Sequence, residues 1–166
     1  MREALRRVRG AETMVGGEEH GAWGRAFLAV GRFLVGLPIP LAVLVVLAWM
    51  GLIWSLSSQT FEAPPEVASA LWSFCANLAH APLFGILALL FASIVLRVGM
   101  GDGWPRLRAW QAGVTVAFVL AWALLDEWHQ SMTPGRDSSL LDVVTDLVGA
   151  ICVLAVIAIL DPARPD

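Results

Sequence analysis

Two clusters of side chains and the turn between them have the types and spacing to do acid–base or ion-binding chemistry. Asp126, His129 and Gln130 fall at i, i+3 and i+4, so on a helix they share one face. Glu127 points about 100° away from that face. Asp142, Asp146 and Gly149 fall at i, i+4 and i+7 on a second helix. Between them, Thr133-Pro134-Gly135-Arg136 reads as a tight turn, in which proline fixes φ and glycine takes a conformation that other residues resist. Carboxylates and imidazole are the side chains that exchange protons near neutral pH. Arginine's planar fork suits phosphate or carboxylate.

The elements that must hold these groups are set by how charge is distributed. Of 166 residues 58% are apolar and only 15% charged, against about 25% in a typical soluble domain. The charges are also segregated: no Asp, Glu, Lys or Arg occurs from Phe33 to Phe61, from Val67 to Leu96 or from Ala109 to Leu125, and only Asp146 interrupts Val143 to Leu160. Apolar stretches of about this length read as membrane helices. The expected spans are Ile39–Ser57, Leu78–Arg97 with a separate interfacial helix over 67–76, Trp110–Trp128 and Leu140–Leu160. Pro82 falls in the first turn of the second span on this count. The chain therefore reads as all-α, an integral membrane four-helix bundle with short loops over 37–160. An Arg-rich cytoplasmic tail, partly disordered or interfacial, precedes it over 1–36, and a short tail follows over 161–166. The piece from Arg25 to Val35 suits the membrane interface, with its arginines reaching toward water.

Net charge is −3, too mild to imply a nucleic-acid partner. Cys75 and Cys152 lie inside apolar runs without ligand-spaced companions, which points to buried thiols serving as small apolar side chains. Six arginines precede the first span and none lies in the first loop, whereas Arg97, Arg106 and Arg108 flank the second. Basic residues favour the cytoplasmic side, so both termini should be cytoplasmic. With four spans, the outer ends of all four helices then converge, bringing Ser57, Ser58, Gln59, Asn77, His80 and the 126–146 stretch to the extracytoplasmic side.

Each residue also has an ordinary explanation. Ser139 with Asp142 fits a capping box at the start of the fourth span, Arg136 fits a loop charge, Trp54 and Trp128 fit interfacial anchors, and His80 fits a polar residue satisfied between helices. Asp146 resists such an explanation. It lies a full turn inside the fourth span, where an ionised Asp costs about 2.5–3.5 kcal/mol on insertion scales. Membrane carboxylates so placed face partners or water.

Taken together, Ser57-Ser58-Gln59, His80, Asp126-Glu127-x-His129-Gln130, Pro134-Gly135-Arg136, Asp142, Asp146 and Gly149 resemble the VanZ-like membrane proteins over about residues 37–160. That family usually carries a basic residue near Asn77 and often a tyrosine where Phe84 stands, and this chain departs from it at both. The resemblance implies a bacterial inner-membrane, multi-pass protein of the cell envelope. Because the family's founding member is linked to glycopeptide resistance favouring teicoplanin, it also implies a role of that kind.

Three functions compete. The first is an envelope protein that binds a membrane lipid or lipid-linked envelope precursor in an extracytoplasmic polar pocket formed by Ser58, Gln59, His80, Asp126, Glu127, His129, Gln130, Arg136, Asp142 and Asp146. The second is a membrane hydrolase or transferase acting on an envelope lipid, with His80, Asp126, Glu127 and His129 as acid–base candidates. Against it, the chain has no HExxH pair and no nucleophile motif. The third is an ion-coupled transporter using Asp146. No cofactor is expected, although His with carboxylates leaves a divalent metal open, and a homo-oligomer is equally open.

Overall fold

The computed structural model describes residues 21–59, 69–98, 107–134 and 139–160, with backbone alone over 69–77. All regular structure among them is helical: α1 (Ala22–Gly36), α2 (Ile39–Ser57), α3 (Ser69–Val95), α4 (Ala109–Ser131) and α5 (Leu140–Ile159). Four stretches are long and apolar enough to cross a membrane, namely Ile39–Ser57, Leu78–Val95, Ala109–Ser131 and Leu140–Ile159. The protein is a multi-pass membrane protein.

Each spanning helix buries a stripe at helical spacing and leaves the rest of its surface apolar and outward. On α2 the stripe is Ala42, Val46, Ile53 and Ser57, while Ile39, Leu41, Leu44 and Leu47 are exposed. On α4 the stripe starts polar at Gln111 and Thr115, turns apolar at Val119 and Ala123, and ends polar at Asp126, Glu127 and Gln130. On α5 it runs from Asp142, Val143 and Asp146 through Gly149 and Ala150 to Leu154 and Ile157. The polar residues therefore cap the two ends of an apolar middle, in which Phe84, Leu87, Ala88, Val119, Ala123 and Ala150 are fully buried.

Helix α3 is central and packs against each of the other four, most extensively against α5. The α3–α5 contact depends on Gly149. A Cβ there would collide with the Ala81 carbonyl oxygen and lie 2.9 Å from the Ala81 Cα. Gly85, one turn along α3, faces the Gly149 carbonyl in the same crossing. Small residues that let backbones approach are the usual means of joining helices in lipid, where apolar burial gives no net drive.

Two expectations are corrected here. α3 is one continuous helix and Pro82 lies in its interior, so the described part of the expected interfacial helix, 69–76, belongs to the spanning helix, while 67 and 68 lie outside the described residues. No glycine or proline interrupts 69–81, and a spanning helix tolerates the one backbone bond that Pro82 removes when neighbours re-satisfy the freed groups. Trp49 Nε1 of α2 donates to the Leu83 carbonyl at 2.9 Å and ties α2 to α3 beside the proline, while the carbonyl that Pro82 itself frees is that of Leu78. Cys152 is exposed, not buried. It lies on the outward side of α5, where lipid suits a small apolar side chain as well as a core does. Cys75, the first twenty residues and 161–166 lie outside what is described.

Candidate functional site

The polar stripe ends meet where α2 and α4 finish and α5 begins. Asp126, one helical turn before Gln130, is 1% exposed. Its Oδ2 accepts both the Ser57 hydroxyl and Gln130 Nε2, each at 2.8 Å. Among the described residues its Oδ1 has no hydrogen-bond partner. Either protonation state leaves that atom wanting: ionised, it is a buried acceptor without a donor; protonated, a donor without an acceptor.

Glu127 turns toward α5. Its Oε2 accepts the Ser139 backbone N–H at 2.6 Å, while Oε1 is buried with no partner among the described residues. The Ser139 hydroxyl in turn accepts the Leu141 N–H at 3.2 Å. The capping box at the start of α5 is thus completed across helices. The carboxylate that reaches the N-cap backbone is Glu127 of α4, not Asp142, which is buried among the helices at 5% exposure. A carboxylate at a helix N-terminus is also favoured by the helix dipole.

His80 of α3 and Asp146 of α5 join at 3.2 Å between Nδ1 and Oδ1, with Asp146 only 1% exposed. With Asp146 ionised, Nδ1 must carry the hydrogen. The His80 ring lies parallel to Phe84 with centroids 6.1 Å apart. Asp126 and Asp142 are close enough to interact electrostatically with His80, Glu127 and Asp146, and His80 with Glu127 and Asp146.

His129 faces α2. Its ring stacks on Trp54, centroids 3.8 Å apart and planes 20° from parallel, and its Nε2 lies 2.9 Å from Ser58 Oγ. The Ser58 hydroxyl also reaches the Trp54 carbonyl at 2.8 Å. The hydroxyl has one proton: directed at the Trp54 carbonyl it leaves His129 Nε2 to donate, and turned to His129 it makes Ser58 the donor, according to the His129 tautomer.

Sequence spacing thus brings together Ser58, His80, Asp126, Glu127, His129, Gln130, Asp142 and Asp146. Gln59 is exposed just past the end of α2, and no side-chain hydrogen bond joins it to the cluster among the described residues. Ser57, one turn after Ile53 on the buried stripe, reaches Asp126 instead. Trp54 is the residue the sequence reading took only for an interfacial anchor. Its i, i+3 and i+4 relation to Ser57 and Ser58 was the available signal. Arg136 and the Asn77 side chain lie outside what is described. Among the described residues, no group of three or more His, Cys, Asp or Glu side chains is arranged to hold a metal ion.

A family model described as VanZ/LLP1 matches residues 41–161, which contain every one of these side chains. No curated protein and no solved structure matches the chain.

Proposed function

This chain belongs to the VanZ/LLP1 family, and from that premise we propose that it is an inner-membrane envelope protein whose polar end binds the headgroup of a membrane lipid or lipid-linked envelope precursor. Both termini are cytoplasmic in this reading and the polar end faces outward. The support for that orientation is the arginine distribution, with Arg97 and Arg108 at the opposite end of the bundle and Arg106 between them in sequence.

The observation that carries the binding reading is the pair of buried carboxylate oxygens, Asp126 Oδ1 and Glu127 Oε1, without donors among the described residues. Buried acceptors of this kind are costly when left unmatched. A ligand that relieves them brings donors, an ammonium or a set of hydroxyls, and a phosphate in the same headgroup would take Arg136. A zwitterionic or sugar-bearing headgroup meets both requirements. The hydrolase reading draws less support, because the chain has no HExxH pair and no nucleophile motif, and the Ser58 hydroxyl beside His129 also reaches the Trp54 carbonyl. A part in glycopeptide resistance would follow from occupying or presenting such an envelope precursor.

Native mass spectrometry of the protein extracted with its surrounding lipid tests the reading. The wild type should retain a lipid bearing amine or hydroxyl groups, and Asp126→Asn should lose it while remaining folded. Equal retention by both proteins, or none by the wild type in any bilayer composition, would overturn it. The orientation has its own test. A cysteine in place of Glu62 should react with an impermeant thiol reagent on intact cells, and one in place of Asp102 should not.

A further inference from the structure

Helix α1 precedes the family-matched region, and its surface is divided into three stripes. Gly24, Phe27, Leu28, Gly31, Leu34 and Val35, at i, i+3, i+4, i+7, i+10 and i+11, are buried or half-buried. They face the bundle, where Phe27, Leu28, Gly31 and Val35 line an apolar cleft with Leu89, Ser93 and Leu96 of α3. Trp23, Ala26, Val30 and Phe33, at i, i+3, i+7 and i+10, form a second apolar stripe that is exposed, Trp23 to 63% and Phe33 to 67%. Arg25, Ala29, Arg32 and Gly36, at i, i+4, i+7 and i+11, form the third. At about 100° per residue the three stripes lie roughly a third of a turn apart.

An ordinary surface helix has two faces, one to the core and one to water. A helix with a third, apolar and exposed, has to meet a third medium. The chain itself indicates which one. Past Leu37 and Pro38 the chain continues into Ile39, Leu41, Val43 and Leu44, which are exposed on the first spanning helix, where the covering medium is lipid. A stripe of the same character directly before that helix suits the same medium.

The angle of α1 is fixed by the protein as well. Arg97, just past the end of α3, donates Nη2 to the Leu34 carbonyl at 2.7 Å and Nη1 to the Leu37 carbonyl at 2.6 Å. These carbonyls are among those a helix C-terminus leaves without intrahelical donors. The guanidinium thus clamps the end of α1 against the bundle and holds the three stripes in register with their surroundings.

We propose that α1 is a membrane-surface strap: its Trp23–Phe33 stripe lies in the acyl boundary of the bilayer and its Arg25–Arg32 stripe lies among anionic headgroups. Basic polar faces with Trp and Phe on the apolar side are the composition of helices that lie in the interface plane. Anionic lipid attracts arginines held within a Debye length of its surface. The strap lies at the end of the bundle away from Asp126, so this proposal stands apart from the headgroup reading.

The test uses the full chain, free of native cysteines, in nanodiscs, with a spin label at one position at a time and collision with oxygen or with a water-soluble nickel chelate measured. Labels at Val30 and Phe33 should have an oxygen-to-nickel collision ratio severalfold that of labels at Ala29 and Gly36. Gly36 suits a label, since a Cβ there meets nothing within 4 Å. In phosphatidylglycerol discs the labels at 30 and 33 should sit deeper than in phosphatidylcholine discs, and Arg25→Gln with Arg32→Gln should remove that difference. Nickel access at 30 and 33 equal to that at 29 and 36 would overturn the strap, and protection of 30 and 33 from both reagents would reveal a protein partner in place of lipid. Depth independent of lipid charge would overturn the anionic assignment.

Discussion

At the end of the bundle where α3 finishes, the polar contacts of Arg97 and Gln111 complete helix termini. Arg97 donates to the Ser93, Leu34 and Leu37 carbonyls. Gln111 accepts the Arg108 N–H at 2.8 Å and donates to the Val95 and Val98 carbonyls at 3.2 Å. At the end where α5 begins, the polar groups are as deeply buried but their accounts do not balance. Asp126 crowds two donors on one oxygen and Glu127 caps α5 with one oxygen, and each holds its second without a partner among the described residues. Burial of polar atoms is thus no guide to function by itself. What distinguishes the ends among the described residues is that one uses neutral or cationic donors to meet backbone carbonyls already present, whereas the other leaves two buried carboxylate oxygens, Asp126 Oδ1 and Glu127 Oε1, without donors.

That contrast can be broken by substitution. The largest effect should come from Gly149→Ala, which forces α3 and α5 apart at Ala81, the crossing that the acidic end is built upon. Overpacking of this kind costs about 1–3 kcal/mol and sometimes more. Thermal unfolding in detergent should show a clear fall in Tm, and an unchanged Tm would mean that the crossing relaxes freely. Next is Arg97→Ala, which leaves three carbonyls without their donor. The expected loss is about 2 kcal/mol, with lipid retention per folded molecule unaffected. Loss of retention without loss of stability would place function at the wrong end.

Ser139→Ala removes the hydroxyl at the start of α5 and should cost about 1 kcal/mol, the usual worth of an N-cap. The Glu127 contact to the Ser139 backbone survives that change, so an appreciably larger loss would show that the hydroxyl does more than cap. The smallest stability effect, and the sharpest test of the comparison, belongs to Asp126→Asn. The Asn oxygen can still accept from Ser57 and Gln130, and an amide replaces the oxygen that lacks a donor. The buried charge goes but an amide N–H without an acceptor takes its place, so stability should change little while ligand retention is lost. A marked destabilisation would identify Asp126 as structural, like the groups around Arg97.

The sequence by itself determined the four spans, because charge is excluded from lipid wherever the chain crosses it and the gaps between charged residues mark the crossings. The structure's α2 begins and ends where the apolar run from Ile39 to Ser57 does. Helical spacing likewise placed Asp126 with Gln130, and Asp142 with Asp146, on inward stripes, since polar side chains in a span must face protein. Helix rotation and crossing were left to the tertiary structure. It made Ser57 and not Gln59 the partner of Asp126, laid Trp54 on His129, and turned Glu127 into the cap of a helix it does not belong to. It also kept α3 unbroken past Pro82 and turned Cys152 outward. The physical reason is common to these cases. Lipid and protein core are equally apolar, so an apolar pattern cannot say which side of a helix faces which. Close packing decides that, and here it turns on one absent Cβ at Gly149 against the backbone of Ala81.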